Sequence, residues 1–119
     1  MAEIKLGNIE SQFADIIWDN EPLSSSVLAK MAEDKLKWKK STTYTILKRL
    51  CDRGIFQNNS GVVTSLISRD EFYSLQSERF VEDTFFGSLP AFLTAFGKRR
   101  KLSEDEVERL KKIIDDMKE

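Results

Sequence analysis

Lys35-Leu36-Lys37-Trp38-Lys39-Lys40-Ser41-Thr42-Thr43-Tyr44-Thr45-Ile46-Leu47-Lys48-Arg49-Leu50-Cys51-Asp52-Arg53-Gly54 carries seven basic side chains against the single carboxylate of Asp52, a net +6. The whole chain of 119 residues has a net charge of −1. A local excess of that size points to a polyanion. From Lys40 or Ser41 the pattern is helical: Thr43, Ile46, Leu47 and Leu50 fall on one face and Thr42, Thr45, Lys48, Arg49 and Asp52 on the other. Gly54 supplies the left-handed residue that ends such a helix.

Upstream, Ile9, Phe13, Ile16 and Ile17 recur at helical spacing, which predicts a helix from about Asn8, its cap, to Asp19. Pro22 forbids its continuation. A second helix begins at about Ser24, buries Val27, Leu28, Met31 and Ala32, and fades near Lys35. Downstream the period changes. Ile55-Phe56-Gln57 and the β-branched run Val62 to Ile67 flank Asn58-Asn59-Ser60-Gly61, a cluster that tolerates positive φ, so a hairpin is predicted. Three helices followed by a hairpin, the third helix short and basic, is the order of a winged helix-turn-helix domain whose third helix enters the major groove.

The rest of the chain is helical and acidic. Residues 1–69 hold ten basic and eight acidic side chains, residues 70–119 nine and twelve, a change from +2 to −3. Ser68 and Glu71 have capping-box spacing and open a helix that carries Phe72, Leu75, Phe80, Val81, Phe85 and Phe86 up to about Ser88. Pro90 fits the first turn of a shorter helix with Leu89, Phe92, Leu93 and Phe96, which Gly97 and the run Lys98 to Lys101 should end. A second capping box, Ser103 to Glu106, starts a last helix with Val107, Leu110, Ile114 and Met117 on one stripe. Six of the eight phenylalanines lie between Phe72 and Phe96. About fifty residues of helix cannot cover them, and a second copy of the chain is the simplest cover.

The expected architecture is therefore mainly α with a small β-hairpin: a winged helix-turn-helix in residues 1–69 and a helical dimerisation region in residues 70–119. The dimer face would comprise Phe72, Phe80, Phe85, Phe86, Leu89, Phe92, Leu93, Phe96, Leu110 and Ile114. A two-fold dimer would set its third helices about 34 Å apart, one DNA turn.

Composition removes other classes. With no histidine and one cysteine, the common zinc and acid/base constellations are missing, so neither an enzyme nor a metal or other cofactor is expected. No stretch approaches a membrane span and Met1 to Asn8 lacks the pattern of a leader, which predicts a cytoplasmic protein. Glu104-Asp105-Glu106 and Asp115-Asp116 read as solvated helix ends.

The candidate DNA contacts are Lys39, Lys40, Ser41, Thr42, Thr45, Lys48 and Arg49, with Asn59 and Ser60 on the hairpin. Hydroxyls at the start of the helix can bond phosphates or base edges, and a Thr methyl can meet a thymine methyl. Ser41 could instead cap the helix. Lys39, Lys40 and Lys48 suit phosphates. Arg49 could reach a phosphate or pair with Asp52 or Asp15. Tyr44 could touch the backbone or pack between helices, and Trp38 reads as core or as a hinge. Cys51 reads as a small buried hydrophobe, and Lys98 to Lys101 as a linker. A winged helix can also dock proteins without any DNA. The +6 stretch argues against that alternative.

Trp18, Trp38 and the run from Ser41 to Leu50 closing on Arg53-Gly54-Ile55 together resemble the penicillinase and methicillin-resistance repressor family. The resemblance implies a winged-helix transcriptional repressor that binds a dyad operator as a homodimer and is released by an upstream signal. Family members of the penicillinase type are cut by a sensor protease at an Asn-Phe bond, where this chain reads Ala95-Phe96. Copper-responsive members carry paired cysteines near the C-terminus, and this tail has none. The Gly-Arg and aromatic residues common in the family's wing are replaced here by Gly61-Val62-Val63-Thr64.

Overall fold

The computed structural model describes residues 6–119; residues 1–5, the start of the Met1 to Asn8 stretch read above, lie outside it. The elements are α1 (Asn8–Asn20), β1 (Leu23–Ser24), α2 (Ser25–Leu36), α3 (Lys40–Asp52), β2 (Phe56–Asn59), β3 (Val62–Ser65), α4 (Arg69–Phe85), α5 (Leu89–Arg99) and α6 (Glu104–Asp116). They form two compact units that divide between Ser77 and Glu78.

The first unit is a winged helix. Phe13, Ile16 and Ile17 of α1, Leu28 and Ala32 of α2, Leu47 and Leu50 of α3 and Ile55, Phe56 and Val63 of the hairpin share one core. Each large apolar side chain so buried contributes about 1.5–3 kcal/mol relative to exposure. Ile9 and Val27, expected inside, lie on the surface. The second stripe is instead completed by Ala29, whose small side chain gives a weaker periodic signal than Val27. Ile46 is half-buried at the core's margin.

The helix ends follow local chemistry. Ser24 Oγ accepts from the N–H of Val27 at 3.1 Å, a side-chain cap for α2. Gly7 rather than Asn8 precedes α1, and its N–H donates to Glu10 Oε1 at 3.3 Å. α3 closes in a Schellman arrangement: the Ile55 N–H donates to the Leu50 carbonyl at 3.2 Å and Gly54 N–H to Cys51 carbonyl at 3.0 Å, with Gly54 at φ +81°. Between α2 and α3 the backbone turns at Lys37, φ +60°, a conformation uncommon for a residue with a Cβ.

The hairpin is tighter than the sequence suggests. Asn58 and Asn59 belong to β2, pairing with Val63 and Val62, and only Ser60 (φ +51°) and Gly61 (φ +91°) form the turn. Two consecutive positive φ values give the strands the twist that a two-residue hairpin needs. The expected strand Val62 to Ile67 stops at Ser65. β1 adds a third strand, so the sheet order is β1-β3-β2, all antiparallel.

Trp18 fixes the end of this unit. Its indole N–H donates to the Ile67 carbonyl at 3.0 Å, and its ring lies 5.2 Å from Phe56 and 5.5 Å from Phe72. Phe72 is fully buried. It therefore belongs to the winged-helix core, not to a dimer face, because a side chain with no exposed surface has none to offer a partner. Arg69 stacks over Trp18 and pairs with Asp15 and Asp19, so the first turns of α4 complete the first unit.

The second unit is helical throughout. α4 ends at Phe85, short of the expected Ser88, because Phe86 (φ +53°) and Gly87 (φ +79°) turn the chain. Ser88 caps α5 through the Ala91 N–H, with Pro90 in the first turn. The helix passes through Gly97 and stops at Arg99, so Gly97 does not end it. Ser103 and Glu106 form the reciprocal capping box of α6. No side chain in residues 78–119 is buried. Phe80, Phe85, Phe92 and Phe96 meet at centroid distances of 5.6–6.2 Å, yet Phe80 is 51% and Phe86 94% exposed.

Candidate nucleic-acid interface

α3 is amphipathic for a simple reason: Thr43, Leu47 and Leu50 repeat every three or four residues and lock one side into the core. The opposite side then has no choice but to face outward. Lys40, Ser41, Thr42, Thr45, Lys48 and Arg49 are all exposed, and Lys39 precedes them as an exposed residue at the helix start. Thr42, Thr45 and Arg49 share one stripe at i, i+3 and i+7.

Ser41 is the second residue of the helix, so it does not cap it; the preceding Lys39 is the N-cap residue and lends no side-chain bond. The first N–H groups of α3 thus have no side-chain acceptor, and a helix start of this kind favours anions. The Thr45 hydroxyl donates to the Ser41 carbonyl at 3.0 Å, which orients its oxygen and methyl. Lys40 Nζ lies 5.9 Å from the Tyr44 ring centre, and Tyr44 is half-buried.

The remaining cations have partners of unequal strength. Lys48 reaches Asp52 at 3.1 Å across one turn, both largely exposed, an interaction that water and salt weaken. Arg49 pairs with neither Asp52 nor Asp15: its Nη1 lies 3.9 Å from Glu10 Oε2 of α1. Nothing in the spacing of either helix signals this contact. Arg53 reaches the same oxygen at 3.4 Å from a more sheltered position. Trp38 packs on Phe13 at 5.0 Å, at the core margin where α3 begins. It also lines an open groove of about 730 Å³ with Lys30, Lys37, Lys39, Lys40, Glu33 and Asp34. Lys30 and Lys37 extend the basic rim beyond the residues picked from the sequence.

The hairpin contributes no charge. From Ile55 to Ser68 there is no Asp, Glu, Lys or Arg. Asn59 and Ser60 are exposed at its tip, and Asn58 Oδ1 accepts from the Gly61 N–H at 2.9 Å. Burial and the neighbouring Asp52 push the Cys51 thiol above its ordinary value, outweighing Lys48, a direction that disfavours the thiolate. Lys98 and Arg99 end α5 and lie in the second unit.

No helix among the described residues is long and apolar enough to cross a membrane. Comparison with known proteins bears on the whole chain. The sequence profile of the penicillinase repressor family matches residues 6–116. The methicillin resistance regulatory protein MecI of Staphylococcus aureus strain Mu50 is 23% identical over 114 residues, which is 92% of this chain and 93% of that protein. The penicillinase repressor of Bacillus licheniformis is 21% identical over 118 residues, 96% of this chain and 92% of that protein. Both relatives are regulators, not enzymes. A profile that spans both units, together with a winged helix of the expected order, means that this chain belongs to the penicillinase repressor family.

Proposed function

We propose that this regulator represses transcription by binding a palindromic operator as a homodimer. The observation that carries the reading is the outward face of α3: Ser41, Thr42 and Thr45 stand together at the open start of a helix, flanked by Lys39, Lys40 and Lys48. Hydroxyls and methyls read base edges while the lysines hold phosphates, so sequence preference and affinity come from adjacent positions. Asn59 and Ser60 at the hairpin tip supply uncharged contacts beside the helix. Phe80, Phe85, Phe86, Leu89, Phe92, Leu93, Phe96, Leu110 and Ile114 pair the two copies, a role supported by a second unit in which nothing is buried. No cofactor takes part, and the protein works in the cytoplasm.

Relief of repression belongs to the same reading. A sensor protease is a candidate partner; the Asn-Phe bond cut in penicillinase-type members is replaced here by Ala95-Phe96, in an exposed part of α5, so a protease acting on this chain would not follow that rule.

A mobility-shift titration tests the proposal. The protein should retard a palindromic fragment from its own promoter, with affinity that falls steeply from low to moderate salt, by nearly one unit of log–log slope per phosphate neutralised. Absence of binding to any genomic fragment at low salt would refute operator recognition. Light scattering at micromolar concentration should return the mass of a dimer; a monomer would refute the pairing role of the phenylalanines.

A further inference from the structure

Among the described residues, Glu10 is the one carboxylate that touches the outward face of α3 from another helix, and it is only 20% exposed. Among the described residues three groups converge on it: the Gly7 N–H on Oε1 at 3.3 Å, and Arg53 at 3.4 Å and Arg49 at 3.9 Å on Oε2. The two arginines are not equivalent. Arg53, 22% exposed, sits past the end of α3 and holds the closer contact, whereas Arg49 is 50% exposed and lies on the Thr42–Thr45 stripe. We propose that Glu10 is a specificity-determining positioning residue: an internal carboxylate that competes with DNA phosphate for Arg49, kept from winning by Arg53. The proposal rests on the operator reading above.

The physics is that of a shared counterion. A carboxylate already neutralised by a sheltered guanidinium holds a second, half-exposed one weakly, and exposed pairs of that kind are easily exchanged. Phosphate near the helix then draws Arg49 away, but only where the rest of α3 fits well enough to bring that phosphate close. Poorly fitting DNA leaves Arg49 on Glu10. The carboxylate thereby lowers affinity for random sequence more than for the operator, a contribution to discrimination from a residue that touches no base.

Glu10→Gln removes the charge and keeps an oxygen for the Gly7 N–H. Arg53→Gln removes the competitor and leaves Glu10 to Arg49. The first measurement needs no DNA: the Arg49 Nε–Hε NMR signal is followed during titration with inorganic phosphate. Half-saturation should come at about two- to fivefold lower phosphate in Glu10→Gln and correspondingly higher phosphate in Arg53→Gln, the range carried by an exposed ion pair. The double variant should match Glu10→Gln. Equal titration in all four proteins would overturn the proposal, whatever they do with DNA. The second measurement compares the promoter palindrome with a random duplex. Glu10→Gln should bind the random duplex more tightly, with a salt slope steeper by about 0.9, and should lose part of the preference for the palindrome. An unchanged preference would overturn the specificity role. A wild-type protein that binds neither duplex would instead refute the operator reading, and the phosphate titration would still decide whether Glu10 competes for Arg49.

Discussion

The two units of this chain use similar helices to opposite ends. In the first, every long apolar stripe finds a facing surface: α1, α2 and α3 close around Phe13, Leu28, Leu47 and Leu50, and the hairpin seals the core with Phe56 and Val63. In the second, α5 and α6 have well-formed caps and strong apolar stripes, yet neither buries a single side chain. Capping and periodicity make a helix. Burial makes a domain, and a segment of 42 residues rich in phenylalanine does not achieve it from its own chain.

The sharpest test of that contrast sits on α4. Phe72→Ala should cost the first unit about 3–5 kcal/mol in urea denaturation, because the ring fills a closed site against Trp18. The same variant should leave dimerisation intact under conditions where it is folded. A loss of dimer with unchanged stability would return Phe72 to the second region. Phe86→Ala asks the converse: sedimentation equilibrium should give a dimer dissociation constant raised about tenfold or more, with the unfolding of the first unit unaltered. The charged surfaces separate in the same way. Lys48→Ala should flatten the salt slope of DNA binding by about 0.9, whereas Lys111→Ala on α6, equally exposed, should leave it alone. The smallest effect is a gain. Thr43 is fully buried with a hydroxyl that has no partner among the described residues, so Thr43→Val should raise the stability of the first unit by about 1 kcal/mol without weakening DNA binding.

Local chemistry made much of this legible in the sequence. The stripes of α1 and α3, the caps at Ser24 and Ser103, and the stop at Gly54 depend on residues within a few positions of one another. The misreadings share the opposite property. β1 is two residues long and exists only because Val62 and Val63 arrive beside Leu23 and Ser24. Phe72 looked like one of six phenylalanines in a tail until Trp18, 54 positions earlier, claimed it. Gly97 would end an isolated helix; here α5 continues two residues further. On the candidate interface, the outward residues of α3 followed from its period, but the partner of Arg49 did not. Glu10 lies on another helix, and nothing in the spacing of either segment announces the pair. The hold of Glu21 on Ser65, with its N–H and hydroxyl at 2.7 and 2.8 Å, was hidden for the same reason.

The hairpin without charge has a practical consequence. Because Ile55 to Ser68 offers no ion to screen, ionic strength acts on the first unit's helices and leaves the hairpin's contacts untouched. On the operator reading, salt becomes a dissecting tool: the affinity that survives once the lysines are screened reports Asn59, Ser60 and the hydroxyls of α3, free of the electrostatic background.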